Sequence, residues 1–236
     1  MGFMRIEPEN NGVSIVLVGS LNAAIFHPSW FVANDLLKKD DIVNVEVELI
    51  NKNFAIFKVG NWLRIQVEPN RFIADTSEPP FIRLHDLVVR TFREVLNQTP
   101  IFQMGINRRV HFNVGDEETR NKIGKMLAPQ EAWGEWANNI KGSKDKKHGG
   151  MTSLSMMESD LDDREIGQII AQVSPSQLIK NHAGIFMNIN DHYEIPKDDS
   201  LAGSTKIMDI LERQYELSIK RSEWIIDQIM ALKEKV

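Results

Sequence analysis

Residues 43–76 read VNVEVELINKNFAIFKVGNWLRIQVEPNRFIADT. Val43, Val45, Val47 and Leu49 alternate with Asn44, Glu46 and Glu48, the period-two pattern of a half-buried strand. Phe54 to Val59 and Trp62 to Val67 flank Gly60-Asn61, which reads as a two-residue loop of the type II′ hairpin kind. Pro69-Asn70 turns the chain once more into a strand at Phe72–Thr76. Two-residue loops join antiparallel neighbours, whereas a parallel pair needs a crossover of about a dozen residues or more. This stretch is therefore a meander, and it sets the fold class.

Outward from it, the chain keeps alternating between strand and helix signals. Upstream, Val13 to Gly19 (VSIVLVG) is a nearly continuous apolar run and reads as a buried strand. A short helix is expected from Pro28 to Leu37, with Pro28 at a first-turn position. Downstream, the period becomes helical from Pro80 to Leu96, with Phe81, Leu84, Val88, Phe92 and Val95 on one stripe. Ile101 to Val114 is a strand with Gly105 as a bulge or a close approach. Asp116, Glu117 and Glu118 open a helix that runs to Leu127. A short helix with Trp133 and Trp136 follows Pro129. The polar loop NNIKGSKDKKHGG at 138–150 reads as a boundary. Beyond it come strands at Met151–Glu158, Arg164–Val173 and Gly184–Ile195, then a long helix from Thr205 to Lys233. The expectation is an α+β protein with two antiparallel meander halves, 1–137 and 151–236. Within each half the sheet is followed by a long helix, the basic loop 138–150 lies between the halves, and the whole packs as one module.

Composition narrows the function classes. The 236 residues are 42% hydrophobic and 26% charged, an ordinary globular balance with enough chain to bury a core. No cysteine is present, which removes disulfides, thiolate metal sites and a cysteine nucleophile, and fits a reducing compartment. No apolar run nears the roughly 20 residues that span a bilayer, and the N-terminus lacks a signal-peptide pattern. A cytoplasmic location without membrane contact is expected. The net charge of −5 speaks against a whole-protein nucleic-acid footprint.

Motif by motif, catalytic readings weaken. Val18-Gly19-Ser20-Leu21-Asn22 with His27 looks like the start of a nucleotidyltransferase phosphate grip, but Pro28-Ser29-Trp30 stands where the second Gly-His should be. His85 borders an apolar helical stripe and is either a buried base or a core histidine held by one hydrogen bond. Asp160, Asp162 and Asp163 lack the glycine and glutamate of a calcium loop. Asp191, His192 and His182 lack the helical spacing of a zinc pair. No catalytic residue, metal site or cofactor is assigned. Lys141, Lys144, Lys146, Lys147 and His148 form the one dense basic run, without interleaved aromatics for base stacking.

Two sets remain as candidate sites. Arg108, Arg109 and His111 form a basic group on one strand, with Arg109 and His111 sharing one face and Arg108 taking the other, and Arg64 lies on a candidate neighbouring strand. Together they could bind phosphate or carboxylate, or form a solvated face paired with Glu46 or Glu48. On the last helix, Leu211, Ser218, Ile225 and Leu232 form one seam, with Tyr215, Ser222 and Ile229 alternating in it. Ile210, Leu217 and Trp224 form a second stripe. One stripe covers the sheet. The other is either part of a wide core or a surface for a protein partner or for self-association.

The stretches SIVLVGSLNAAIFHPSWF, PPFIRLHDLVVRTFREVL, MGINRRVHFNV, LAPQEAWGEW and GIFMNINDHYEI carry a resemblance to a sporadically distributed bacterial family of uncharacterised α+β proteins. That resemblance implies the α+β fold over most of the chain and no activity, cofactor or catalytic residue. Three functions are carried forward: a non-catalytic binding or adaptor subunit of a protein assembly; an enzyme or receptor for a phosphorylated ligand; and a nucleic-acid accessory protein acting through the basic loop.

Overall fold

A computed structural model describes residues 4–140, 149–201 and 203–236. The basic run from Lys141 to His148 lies outside the described residues, so the nucleic-acid reading attached to it has no structural counterpart.

The strands are β1 (Asn10–Gly19), β2 (Val45–Ile50), β3 (Ala55–Val59), β4 (Leu63–Glu68), β5 (Arg71–Thr76), β6 (Ile101–Asn113), β7 (Leu154–Glu158), β8 (Ile166–Pro175) and β9 (Gly184–Glu194). The α-helices are α1 (Pro28–Ala33), α2 (Ile82–Arg90), α3 (Glu117–Leu127), α4 (Ala137–Ile140), α5 (Lys197–Ser200) and α6 (Thr205–Met230). The nine strands of the described residues join one antiparallel sheet in the order β2-β3-β4-β5-β1-β6-β9-β8-β7. The architecture is α+β. The two stretches expected as separate meanders share this sheet, because β6 pairs with β1 on one side and with β9 on the other.

The meander of residues 45–76 forms as its alternation dictates, with one correction at the first hairpin. Val59 pairs directly with Leu63, so the loop has three residues, Gly60 to Trp62, and Gly60 takes the positive φ of +53° that glycine allows. β2 is also not half-buried. Val47 and Leu49 are exposed, because β2 is the sheet edge and its register shifts between Val47 and Leu49. Gly105 is a close approach and not a bulge: a Cβ there would meet Asn190 Oδ1 at 2.9 Å, while the bulge falls between Val18 and Gly19.

One face of the sheet is covered by helices. α2 packs on β1 and β5, and α6 packs on β6 and β9. Phe26, Phe31, Phe57, Phe72 and Phe92 form a chain of ring contacts in the core. Tyr215 of α6 donates its hydroxyl to Phe81 O at 2.7 Å. Arg93, in the π-helical turn that extends α2, pairs with Asp209 and Glu212 of α6. α6 buries Ile207, Leu211, Tyr215, Ser218, Ser222, Ile226 and Met230. Ser218 and Ser222 therefore admit the protein's own sheet. The buried stripe moves from the Leu211–Ser218 line to Ile226 and Met230, as a straight helix of 3.6 residues per turn must drift from a seven-residue repeat. Ile225, Ile229 and Leu232 become half-buried flanks. Among the described residues no helix is long and apolar enough to cross a membrane.

Candidate functional site

The second face of the sheet has no α2 or α6 against it, and antiparallel register arranges its side chains in rows. One row runs Asn10, His111, Phe186, Ser174, and the next runs Gly12, Arg109, Asn188, Gln172. A third runs Lys58, Arg64, Asp75, Ser14, Asn107, Asn190. At the end of the first two rows lies a cleft of about 830 Å³. Arg109, His111 and Phe186 stand on the sheet floor, Asn10 and Asn11 come from β1, and Thr152, Gln177 and Leu178 come from the segments beside it.

His111 is held on two sides. Its ring lies 4.7 Å from that of Phe186, its cross-strand neighbour, and its Nδ1 is 2.8 Å from Ser176 Oγ. That oxygen already accepts the backbone N–H groups of Leu178 and Ile179 at 3.1 and 3.2 Å. With both lone pairs engaged, the Ser176 hydroxyl has its proton to give, and His111 Nδ1 accepts it. The tautomer then carries its own proton on Nε2. Burial, with Arg109 nearby, pushes the His111 pKa below its ordinary 6.5, so the ring is neutral near pH 7. Because the unfolded histidine binds its proton first as pH falls, this contributes stability that is full above pH 6.5 and lost as pH drops through the folded pKa. His111→Phe is expected to lose less melting temperature than the wild type between pH 7.5 and pH 5.5. Equal losses in thermal melts would remove His111 as the source.

Arg109 pairs with Asp75. Gly12 leaves room for this, since a Cβ there would meet Thr76 O at 2.8 Å and Arg109 Nη2 at 3.6 Å. Arg64 lies one row away and outside the cleft, donating to Glu48 at 3.0 and 3.2 Å. Glu48, with its pKa lowered chiefly by the Arg64 hydrogen bond, is also 3.3 Å from Lys58. The structure thus brings Arg109 and His111 together and ties Arg64 to the carboxylate that the solvated-face reading named.

The other sequence candidates separate physically. His27 caps α1, its Nδ1 accepting from Ser29 N at 3.3 Å, and Asn22 caps the short helix before it. His85 stacks on Tyr215 at 4.8 Å and contacts Asp86 at 2.9 Å. Asp191 and His192 point to opposite faces of β9: Asp191 is buried below α6, whereas His192 lies beside Glu194 on the open face. Among the described residues no group of three or more His, Asp or Glu is arranged to hold a metal.

Two charged clusters under α6 escaped the sequence reading. Asp191, 1% exposed, accepts from Arg164, Arg221 and Tyr193. Arg108, 2% exposed, faces Glu223 at 3.6 Å. Their signal was present, since each interrupts an apolar period-two series on an inward strand face.

On α6 itself, Ile210 is half-buried against the core, while Leu217 and Trp224 are 51% and 63% exposed. No protein-family model matches the chain, and no curated protein matches its sequence.

Proposed function

We propose that the chain is a non-catalytic binding or adaptor subunit of a protein assembly, engaging a second copy of itself through the outward face of α6. The observation behind this reading is the exposure of Trp224 and Leu217, which stand seven residues apart on one helix face. Burying each such side chain is worth about 1.5–3 kcal/mol. A twofold arrangement of antiparallel α6 helices sets Leu217 of one copy against Trp224 of the other, twice by symmetry. Lys220 between them is compensated within its own helix by Glu216 at 3.7 Å. Sedimentation should find a dimer in the wild type, and Trp224→Glu should be monomeric with an unchanged circular dichroism spectrum. A wild type that stays monomeric at its highest soluble concentration would refute the self-association.

A second reading, a receptor or enzyme for a small ligand, is favoured by the convergence of Arg109 and His111 on one cleft. A phosphorylated ligand would use the Arg109 guanidinium and the His111 imidazole there, and melting in saturating inorganic phosphate tests it.

A further inference from the structure

We propose that the cleft beside His111 is a binding site for a neutral, polyhydroxylated ligand of the saccharide class, an inference that rests on the small-ligand reading. The cleft's volume of about 830 Å³ lies inside the roughly 300–1,000 Å³ range of small-molecule sites.

The charges come first. Arg109 provides the cleft's guanidinium, and Asp75 is already paired with it. His111 is neutral near pH 7, because Ser176 supplies a proton to Nδ1 and burial disfavours a second one. Among the described residues, the lining therefore presents no uncompensated positive charge to a phosphate. Of that pair, the Arg109 guanidinium lines the cleft as a hydrogen-bond donor whose charge is already met.

The hydrogen-bonding groups come second. Asn10 and Gln177 contribute carboxamides, and Thr152 and Ser174 contribute hydroxyls. Each carboxamide both donates and accepts, as does each hydroxyl. That mixture suits a ligand whose own groups do both, which is the property of a sugar hydroxyl and not of a phosphate oxygen.

Apolar surface comes third. Phe186, Pro175 and Leu178 line the same cleft, and Leu178 is well exposed. His111 fixes the Phe186 ring by stacking. A pyranose has a C–H face and a hydroxyl rim, so it can place the first on such a patch while the rim meets the amides. A phosphate has no apolar face to place there.

The test is saturation-transfer NMR and thermal melting of the full chain with a panel of neutral mono- and disaccharides, with inorganic phosphate in a parallel arm. At least one saccharide should bind the wild type and raise its melting temperature, and phosphate should not. Thr152→Val and His111→Phe, which keep shape while removing hydroxyl or imidazole N–H, should each weaken that saccharide about tenfold or more and retain the wild-type circular dichroism. Saccharide binding that is unchanged in both variants would place the ligand elsewhere and overturn the assignment. Phosphate binding without saccharide binding would overturn it while leaving the small-ligand reading standing. Silence in both arms would remove the two together.

Discussion

Replacing Asp191 with alanine is expected to lower the unfolding free energy by about 3–5 kcal/mol, the range for breaking a buried ion pair from one side. Asp191 accepts from Arg164 Nη1 at 2.5 Å, Arg221 Nη1 at 3.2 Å and Tyr193 Oη at 3.3 Å. Arg164 is 5% exposed in its side chain and lies over the Tyr193 ring at 3.8 Å, so water cannot readily replace a missing carboxylate. Arg164 belongs to the turn before β8, Asp191 to β9 and Arg221 to α6, so the cluster fastens the outer strands to the helix. Asp163 is left to serve both arginines, at 2.7 and 2.8 Å. Its pKa is held at about 2, first by the Arg164 hydrogen bond, so in the wild type its contribution is lost only as pH falls from 3.8 through about 2. Urea titration at neutral pH gives the comparison. Asp191→Asn, which keeps one acceptor, should lose less than Asp191→Ala. A loss under about 1 kcal/mol for Asp191→Ala would mean that Asp163 and solvent suffice for both guanidinium groups.

How legible these features were in the sequence follows from the range of the interactions behind them. The strands of residues 55–76 are read from local alternation, and Phe57, Ile65 and Phe72 are buried as that pattern requires. The exposure of Val47 could not be read locally, since a strand's burial depends on whether a helix reaches it, and β2 lies at the sheet edge. Arg109 and His111 are two residues apart on one strand, so their shared face is a local fact. The place of Arg64 depends on register carried across β6, β1, β5 and β4: Arg109 pairs with Gly12, whereas Arg64 aligns through Asp75 with Ser14, one row along. The buried charges were legible and missed. Met104, Ile106, Arg108, Val110 and Phe112 form a single inward face, as do Ile185, Met187, Ile189, Asp191 and Tyr193. A charge inside such a series must meet an opposite charge from whatever covers the sheet. Here that cover is α6, which supplies Glu223 and Arg221.

The same reasoning gives the second large effect, at the other charge in these series. Arg108 is buried between β1 and α6, with Nη1 donating to Gly12 O at 3.2 Å and to Asn11 Oδ1 at 3.4 Å, and with its guanidinium 4.9 Å from the Phe81 ring centre. Burial lowers the Arg108 pKa, and burial raises that of Glu223, so each charge is tolerated because the other opposes it. Arg108→Ala is expected to cost about 3–5 kcal/mol, because Glu223 loses its counter-charge in a desolvated place. The sign of the pH dependence follows from Glu223. A carboxyl whose folded pKa is raised above 4.5 favours the fold when protonated, and that contribution is lost as pH rises through the folded value. Removing Arg108 raises that value further, so the deficit of Arg108→Ala should shrink as pH is lowered from 8 toward 5. Glu223→Leu alone should also destabilise, by leaving Arg108 unpaired. The double variant Arg108→Met/Glu223→Leu fills the same space without charge and should lie within about 1–2 kcal/mol of the wild type. Urea melts of Arg108→Met, Glu223→Leu and their double variant close a mutant cycle, whose coupling should reach about 2 kcal/mol or more. Additive losses, with no coupling and no recovery at lower pH, would show that the two side chains act through packing alone.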